Sequence, residues 1–176
     1  MGKTVEDRVR KYLNIMPNSI HITGILRNLG FFTAPASTKY HGAYEGGLFD
    51  HSFATTEALL EMTKKLGLKW ERPESPYIIG MFHDLCKCDA YVWDFETGKY
   101  TYNPDIIIPG HGDKSVIMLQ KYIELTAEEI ACIRWHMGAY EKDPKMWEYY
   151  GRAIERYPYV LYTHTADMIA SKIMGV

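Results

Sequence analysis

The sequence predicts an all-α protein carrying one small β-hairpin, and three observations support that expectation. Apolar residues return at three- and four-residue intervals through most of the chain. Helix punctuation bounds each run: prolines near the starts, glycines at the ends, and Ser, Thr, Asp or Asn before the first turn. One stretch, 90–103 (AYVWDFETGKYTYN), departs from this pattern. There aromatic and β-branched residues flank Thr97-Gly98, as they do in a hairpin.

The first expected helix is 3–16, with Val5, Val9, Tyr12 and Leu13 on one stripe and Pro17 stopping it. Asn18 or Ser19 is placed to cap a second, whose Ile22, Ile25, Leu26 and Leu29 precede Gly30. Residues 31–47 (FFTAPASTKYHGAYEGG) have no sustained period and several breakers, so a loop is expected. Over 48–66, Leu48, Phe53, Leu59, Leu60, Met62 and Leu66 return at helical spacing, and Gly67 is placed to end the run. Ser75-Pro76 reads as a cap followed by a proline at the first helical position, opening a helix to about Lys87. Beyond the hairpin, Asp113 is placed to cap a helix to about Tyr122. Thr126 and Glu129 match a capping box for another, closed by Gly138. One helix follows Pro144, and Pro158 opens a last one to about Met174. No repeat, low-complexity tract or linker interrupts the series, so a single domain over 1–176 is expected.

Composition narrows the range of functions. With 47% hydrophobic and 24% charged residues, 176 residues suffice to bury a core without disulfide staples. A formal net charge of -2 argues against binding nucleic acid or anionic membrane by overall charge. No charged start followed by an apolar run opens the chain, and no stretch approaches the ~20 apolar residues of a membrane span. A soluble, cytoplasmic protein is the expectation. Cys86, Cys88 and Cys132 are too few for a disulfide framework and do not have zinc-ribbon spacing, so buried free thiols are expected.

The chemistry concentrates at MFHDLCK, residues 81–87, where His83, Asp84 and Lys87 interrupt an apolar segment. Adjacent helical residues point about 100° apart, so His83 and Asp84 converge only on something between them, as on a metal ion. A bare histidine-aspartate pair is commonly no more than a hydrogen bond at a helix end. Four further residues shift the balance: His51 early in one helix, His111 just before a helix start, His136 just before a helix end, and Asp167 inside the last helix. Imidazoles and carboxylates without a thiolate cluster suit a divalent ion such as Fe, Mn, Ni, Co or Zn in a reactive rather than structural site. A carboxylate has two oxygens and a neutral imidazole one free nitrogen, which makes Asp84 the natural bridge between two ions.

With these residues the chain resembles the HD-domain superfamily of metal-dependent phosphohydrolases, over about Tyr40 to Lys172. His51, His83-Asp84 and Asp167 follow that family's H…HD…D order. KYHGAYEGGLFDHS and HDLCK are similar to its usual GGL-x-x-H and HD-[LI]-x-K surroundings. His111 and His136 match the two extra histidines of members with a binuclear centre, among them HD-GYP phosphodiesterases, some HD-type exoribonucleases and the di-iron HD oxygenases. The GYP motif is absent, and so is the nucleic-acid-binding domain that accompanies the exoribonucleases.

The resemblance implies an HD-type helical bundle. It implies one metal on His51, His83, Asp84 and Asp167, and a second on Asp84, His111 and His136. It further implies hydrolysis of a phosphoester by metal-activated hydroxide, with Lys87 stabilising charge on the phosphoryl group. The expected substrate is a small phosphorylated molecule such as a nucleotide, and neither nucleic acid nor membrane is an expected partner. The alternatives are a mixed-valent di-iron oxygenase, of which myo-inositol oxygenase is the named example, an HD-type nuclease, and a non-catalytic binding domain. Among the remaining residues, His41 and Lys39 are candidate substrate contacts, and His164 is a candidate partner for Asp167 or else a half-buried residue bonded to backbone. Lys114 and Ser115 lie at a helix N-terminus suited to an anion but are expected to be solvated there. His21 is expected to be structural. Tyr91, Trp93, Tyr100 and Tyr102 are expected to pack the hairpin or to stack a base.

Overall fold

The computed structural model describes residues 3–16, 22–138 and 143–176. Among these, helices predominate and one two-stranded antiparallel sheet is present. Helix α1 (Val5–Ile15) starts with a capping box, in which the Thr4 side chain accepts from the Asp7 N–H and the Asp7 carboxylate from the Thr4 N–H. It buries Val9 and Tyr12, whereas Leu13, expected on the same stripe, stays exposed. The expected stop at Pro17, the caps at Asn18 or Ser19 and the structural His21 lie outside the described residues. Helix α2 (Thr23–Asn28) is short, and Gly30 turns the chain out of it at φ 81°.

The loop expected over 31–47 is found as far as Gly46. It is not a solvated loop: Phe31 and Phe32 are buried and pack edge-on or tilted against Tyr12, Phe49 and Phe82. Buried Arg8 donates to the Glu45 carbonyl at 2.9 Å and lies 3.6 Å from Asp50, tying this loop to two helices. Helix α3 (Gly47–Leu66) follows, ended as expected by a left-handed Gly67. Leu66, at its last position, is exposed rather than on the core face.

Helix α4 (Ser75–Phe82) is shorter than the expected span to Lys87, and its cap differs. Glu74 occupies the cap position, and Ser75 is already helical, its hydroxyl donating to Glu129. At the other end the His83 ring donates Nδ1–H to the Gly80 carbonyl at 2.9 Å, taking the acceptor that the next helical N–H would use. Asp84 then leaves helical geometry (φ -106°, ψ 19°), and a 3₁₀ turn covers Leu85–Cys88.

Strands β1 (Tyr91–Asp94) and β2 (Lys99–Tyr102) pair as the expected hairpin, with Tyr91 opposite Tyr102 and Trp93 opposite Tyr100. The Asp94 carboxylate accepts from the Glu96 and Thr97 N–H groups, and Gly98 supplies the left-handed residue. Helix α5 (Gly112–Leu119) is capped in position by His111 and ends short of Tyr122. Asp113, expected as its cap, lies in its first turn and pairs instead with Arg134. Helix α6 (Ala127–Trp135) has the expected Thr126–Glu129 capping box but gives way at His136, before the left-handed Gly138. Helix α7 (Pro144–Arg156) starts from an Asp143 cap. Helix α8 (Tyr159–Met168) runs on through a π-helical turn over Ile169–Met174.

Helix α3 packs against α4 and α8, and α6 against α5 and α8. The α3–α4 approach depends on Gly80, because a Cβ there would lie 2.6 Å from the Thr56 Cα. The cysteines are free, Cys86 and Cys132 buried and Cys88 partly so. No helix among the described residues is long and apolar enough to cross a membrane.

Candidate metal centre

All six expected ligands meet at one place. His51 comes from the first turns of α3, His83 from the residue that ends α4, Asp84 from the break that follows, His111 from the cap of α5, His136 from the end of α6 and Asp167 from α8. His51, His83, His136 and Asp84 are fully or almost fully buried. His51 Nε2 is 3.2 Å from His83 Nε2, 3.1 Å from Asp167 Oδ1 and 3.4 Å from Asp84 Oδ2. On the other side of Asp84, Oδ1 is 2.8 Å from His111 Nε2 and 3.4 Å from His136 Nε2. The carboxylate thus turns one oxygen to His51 and His83 and the other to His111 and His136, the disposition required of a bridge.

The outer nitrogens settle which way the rings present themselves. His83 Nδ1 faces the Gly80 carbonyl, His136 Nδ1 the Ile133 carbonyl at 2.7 Å and His51 Nδ1 the main-chain oxygen of Val176 at 3.0 Å. A main-chain oxygen only accepts, so each Nδ1 carries a hydrogen, and in the neutral ring each Nε2 turns a lone pair inward. Lone pairs and carboxylate oxygens then face one another at little more than 3 Å, with the Lys87 ammonium as a donor on Asp84 Oδ2. Asp84 Oδ1 and His136 Nε2 are buried without a hydrogen bond. Such a surplus of acceptors fits a cation, and these His, Asp and Cys groups could hold a metal ion.

Without a metal, protons fill the same role. Burial pushes His83 down to about 3. On His51 burial acts in the same sense but is overcome by Asp167 and Asp84, which hold that ring at about 9. Burial also opposes ionisation of Asp84, yet the Lys87 ammonium and then His111 keep it well below the usual carboxylate range. Lys87 is itself raised against burial by Asp84, whose Oδ2 lies 2.6 Å from its Nζ. The 3₁₀ turn brings this about, since residues three apart eclipse in that geometry.

No family model, curated protein or solved structure matches the chain.

A cavity of about 670 Å³ opens over the cluster, with Asp84, Asp167, Lys87 and His111 among its lining residues and Tyr91 and Tyr102 in its wall. That volume is within the range of small-molecule sites. His41, a candidate contact, also lines it. Its ring is centred 5.0 Å from that of His51, and its Nε2 is buried without a partner. Lys39 is exposed, with its ammonium over the Tyr40 ring. Lys114 and Ser115, expected to be solvated, are buried and already engaged. Lys114 pairs with Asp89, and the Ser115 hydroxyl accepts from the Cys86 N–H at 3.1 Å. His164 is the half-buried, backbone-bonded residue, donating to the His136 carbonyl at 2.7 Å. The hairpin aromatics form cross-strand pairs, Tyr91 with Tyr102 and Trp93 with Tyr100.

One residue of the site escaped the sequence reading. Cys86 is a buried free thiol, as expected, and burial pushes it up to about 12. Its Sγ nevertheless lies 3.0 Å from His111 Nδ1. A continued α4 would have carried it about 200° around from Asp84, and only the break after Phe82 turns it to the cluster. Its signal in the sequence is its place two residues after Asp84.

Proposed function

We propose that the protein is a metal-dependent phosphohydrolase of the HD type, acting on a small phosphoester such as a nucleotide. The observation that carries this reading is the pairing of an inward-facing acceptor cluster with Lys87, a buried cation held on Asp84 at the floor of a cavity. His51, His83, Asp84 and Asp167 would hold one ion, and Asp84, His111 and His136 a second. Bound there, such ions supply Lewis acidity toward a phosphoryl oxygen and make water a nucleophile near neutral pH.

The chain's own groups do the rest. Lys87 spends one N–H on Asp84 Oδ2 and retains others to offer to a phosphoryl oxygen as negative charge develops there. His51, His83 and His136, each anchored on a main-chain oxygen, need no reorientation when a cation arrives. Tyr91 and Tyr102 line the cavity where the organic part of the substrate would lie, with aromatic surface suited to a flat ring.

The test is elemental analysis of protein purified without chelator, followed by phosphate release from a panel of nucleoside phosphates and p-nitrophenyl phosphate with manganese under anaerobic conditions. About two metals per chain and anaerobic turnover are expected. Turnover that requires both iron and oxygen would replace this reading with the oxygenase one.

A further inference from the structure

Four imidazoles surround Asp84 or face it, and three of them are fixed from behind by a main-chain oxygen that can only accept. His111 is the exception, because its Nδ1 meets the Cys86 thiol at 3.0 Å. The difference has chemical content. Such an oxygen locks the ring with hydrogen on Nδ1; a thiol both donates and accepts weakly, so it supports either tautomer. Cys86 is itself held in place, its N–H on the Ser115 hydroxyl and its side chain buried. His111 is also the most exposed of the four, its side chain 31% accessible against 0% for His51, His83 and His136. It sits on the single residue that joins a left-handed Gly110 to α5.

We propose that Cys86 is a positioning residue for His111, holding its Nδ1 so that Nε2 serves the second ion, and that this weaker, two-way tether makes the second ion the releasable one. The inference rests on the two-ion reading of the cluster but not on any substrate. With the ion bound, Nδ1–H points to Sγ and Nε2 faces the ion. With the ion gone, S–H can turn to Nδ1 and Nε2–H to Asp84 Oδ1, 2.8 Å away. No proton leaves the pair of residues, so release requires no change in their total charge. The three rings bound to main-chain oxygens have no such second arrangement.

The experiment is a titration of metal-free protein with Co²⁺ followed by absorption and calorimetry, on wild type, Cys86→Val and Cys86→Ser. Valine fills the space without a polar atom, and serine restores a group that both donates and accepts. The expected result is two equivalents in wild type, the second weaker. Cys86→Val should leave the first affinity within about twofold and weaken the second by about tenfold or more, with much of that loss recovered in Cys86→Ser. Equal weakening of both equivalents in Cys86→Val, or no weakening of either, overturns the positioning role. A sulfur-to-cobalt charge-transfer band in wild type overturns it too, because Cys86 would then bind the ion directly. If wild type takes up only one equivalent, the two-ion reading fails first, a result distinguishable from the others without reference to the variants.

Discussion

Helices α4 and α6 run side by side in the same direction, and their two ends treat buried charge in opposite ways. At the N-terminal ends the Glu129 carboxylate has every need met. It takes two bonds from Arg72 at 2.8 and 2.7 Å, one from the Ser75 hydroxyl at 2.9 Å and one from the Thr126 N–H at 2.9 Å. At the C-terminal ends His83 and His136 occupy equivalent positions, each ending its helix and each bonded through Nδ1 to the carbonyl three residues back. There the carboxylate is Asp84, whose Oδ1 has only imidazole nitrogens beside it, His111 Nε2 at 2.8 Å and His136 Nε2 at 3.4 Å. A closed network ties elements together and has no further use for a ligand. An open one, equally buried, is stable only with something added. Completeness of hydrogen bonding, rather than charge or burial, separates the structural end from the chemical end.

The contrast can be broken most severely at Asp84. Asp84→Ala should abolish metal retention and lower phosphoester hydrolysis by about a thousandfold or more, while far-UV circular dichroism shows the helices intact. Glu129→Ala should do the converse. Leaving Arg72, Ser75 and the Thr126 N–H without their shared partner is expected to cost about 3 kcal/mol in urea denaturation, with metal content per folded chain unchanged. Lys87→Met separates charge stabilisation from metal holding. Turnover should fall about a hundredfold with metal content at the wild-type level, and a loss of metal would show Lys87 to be a structural counter-charge.

The mildest test is pH. In metal-free protein His51 is held at about 9, against an unfolded value near 6.5, so its contribution is complete below 6.5 and disappears as pH rises through 9. His136 is raised as well, overcoming burial through Asp84, and acts in the same direction. Thermal melting of the metal-free protein should therefore drop by a few degrees between pH 6.5 and 9. In metal-loaded protein the ion replaces those protons, and the drop should disappear. A drop of equal size in both forms would argue that no cation occupies the cluster.

The two ends also differ in how far the sequence discloses them. The Thr126–Glu129 box and the Gly67 stop are legible because their chemistry is local, complete within four residues. The six candidate ligands are legible for a different reason: a lone histidine-aspartate pair is commonly only a hydrogen bond, but histidines and aspartates recur beside several helix ends in the order of a known family. Glu129's tie to Arg72 and Ser75 is not legible, because it joins residues 57 and 54 positions apart. Nor is the break after Phe82, which depends on the His83 ring claiming the Gly80 carbonyl. That break misplaced the end of α4, and with it Cys86. The hairpin was legible as a hairpin, while the place of Tyr91 and Tyr102 in the cavity wall required the packing of the whole chain.

Gly80 has a consequence that reaches past the packing of α3 on α4. The same residue that lets Thr56 come so close also lends its carbonyl to the His83 ring, one turn away from the cluster. Helix spacing and ring orientation are thus set from one point, which would make the gap between His51 and His83 a fixed gauge rather than an adjustable jaw. On the two-ion reading proposed above, such a gauge would sort ions by radius. Any preference the centre has for a smaller over a larger divalent ion would then originate in part at a residue with no side chain, one that touches no ion.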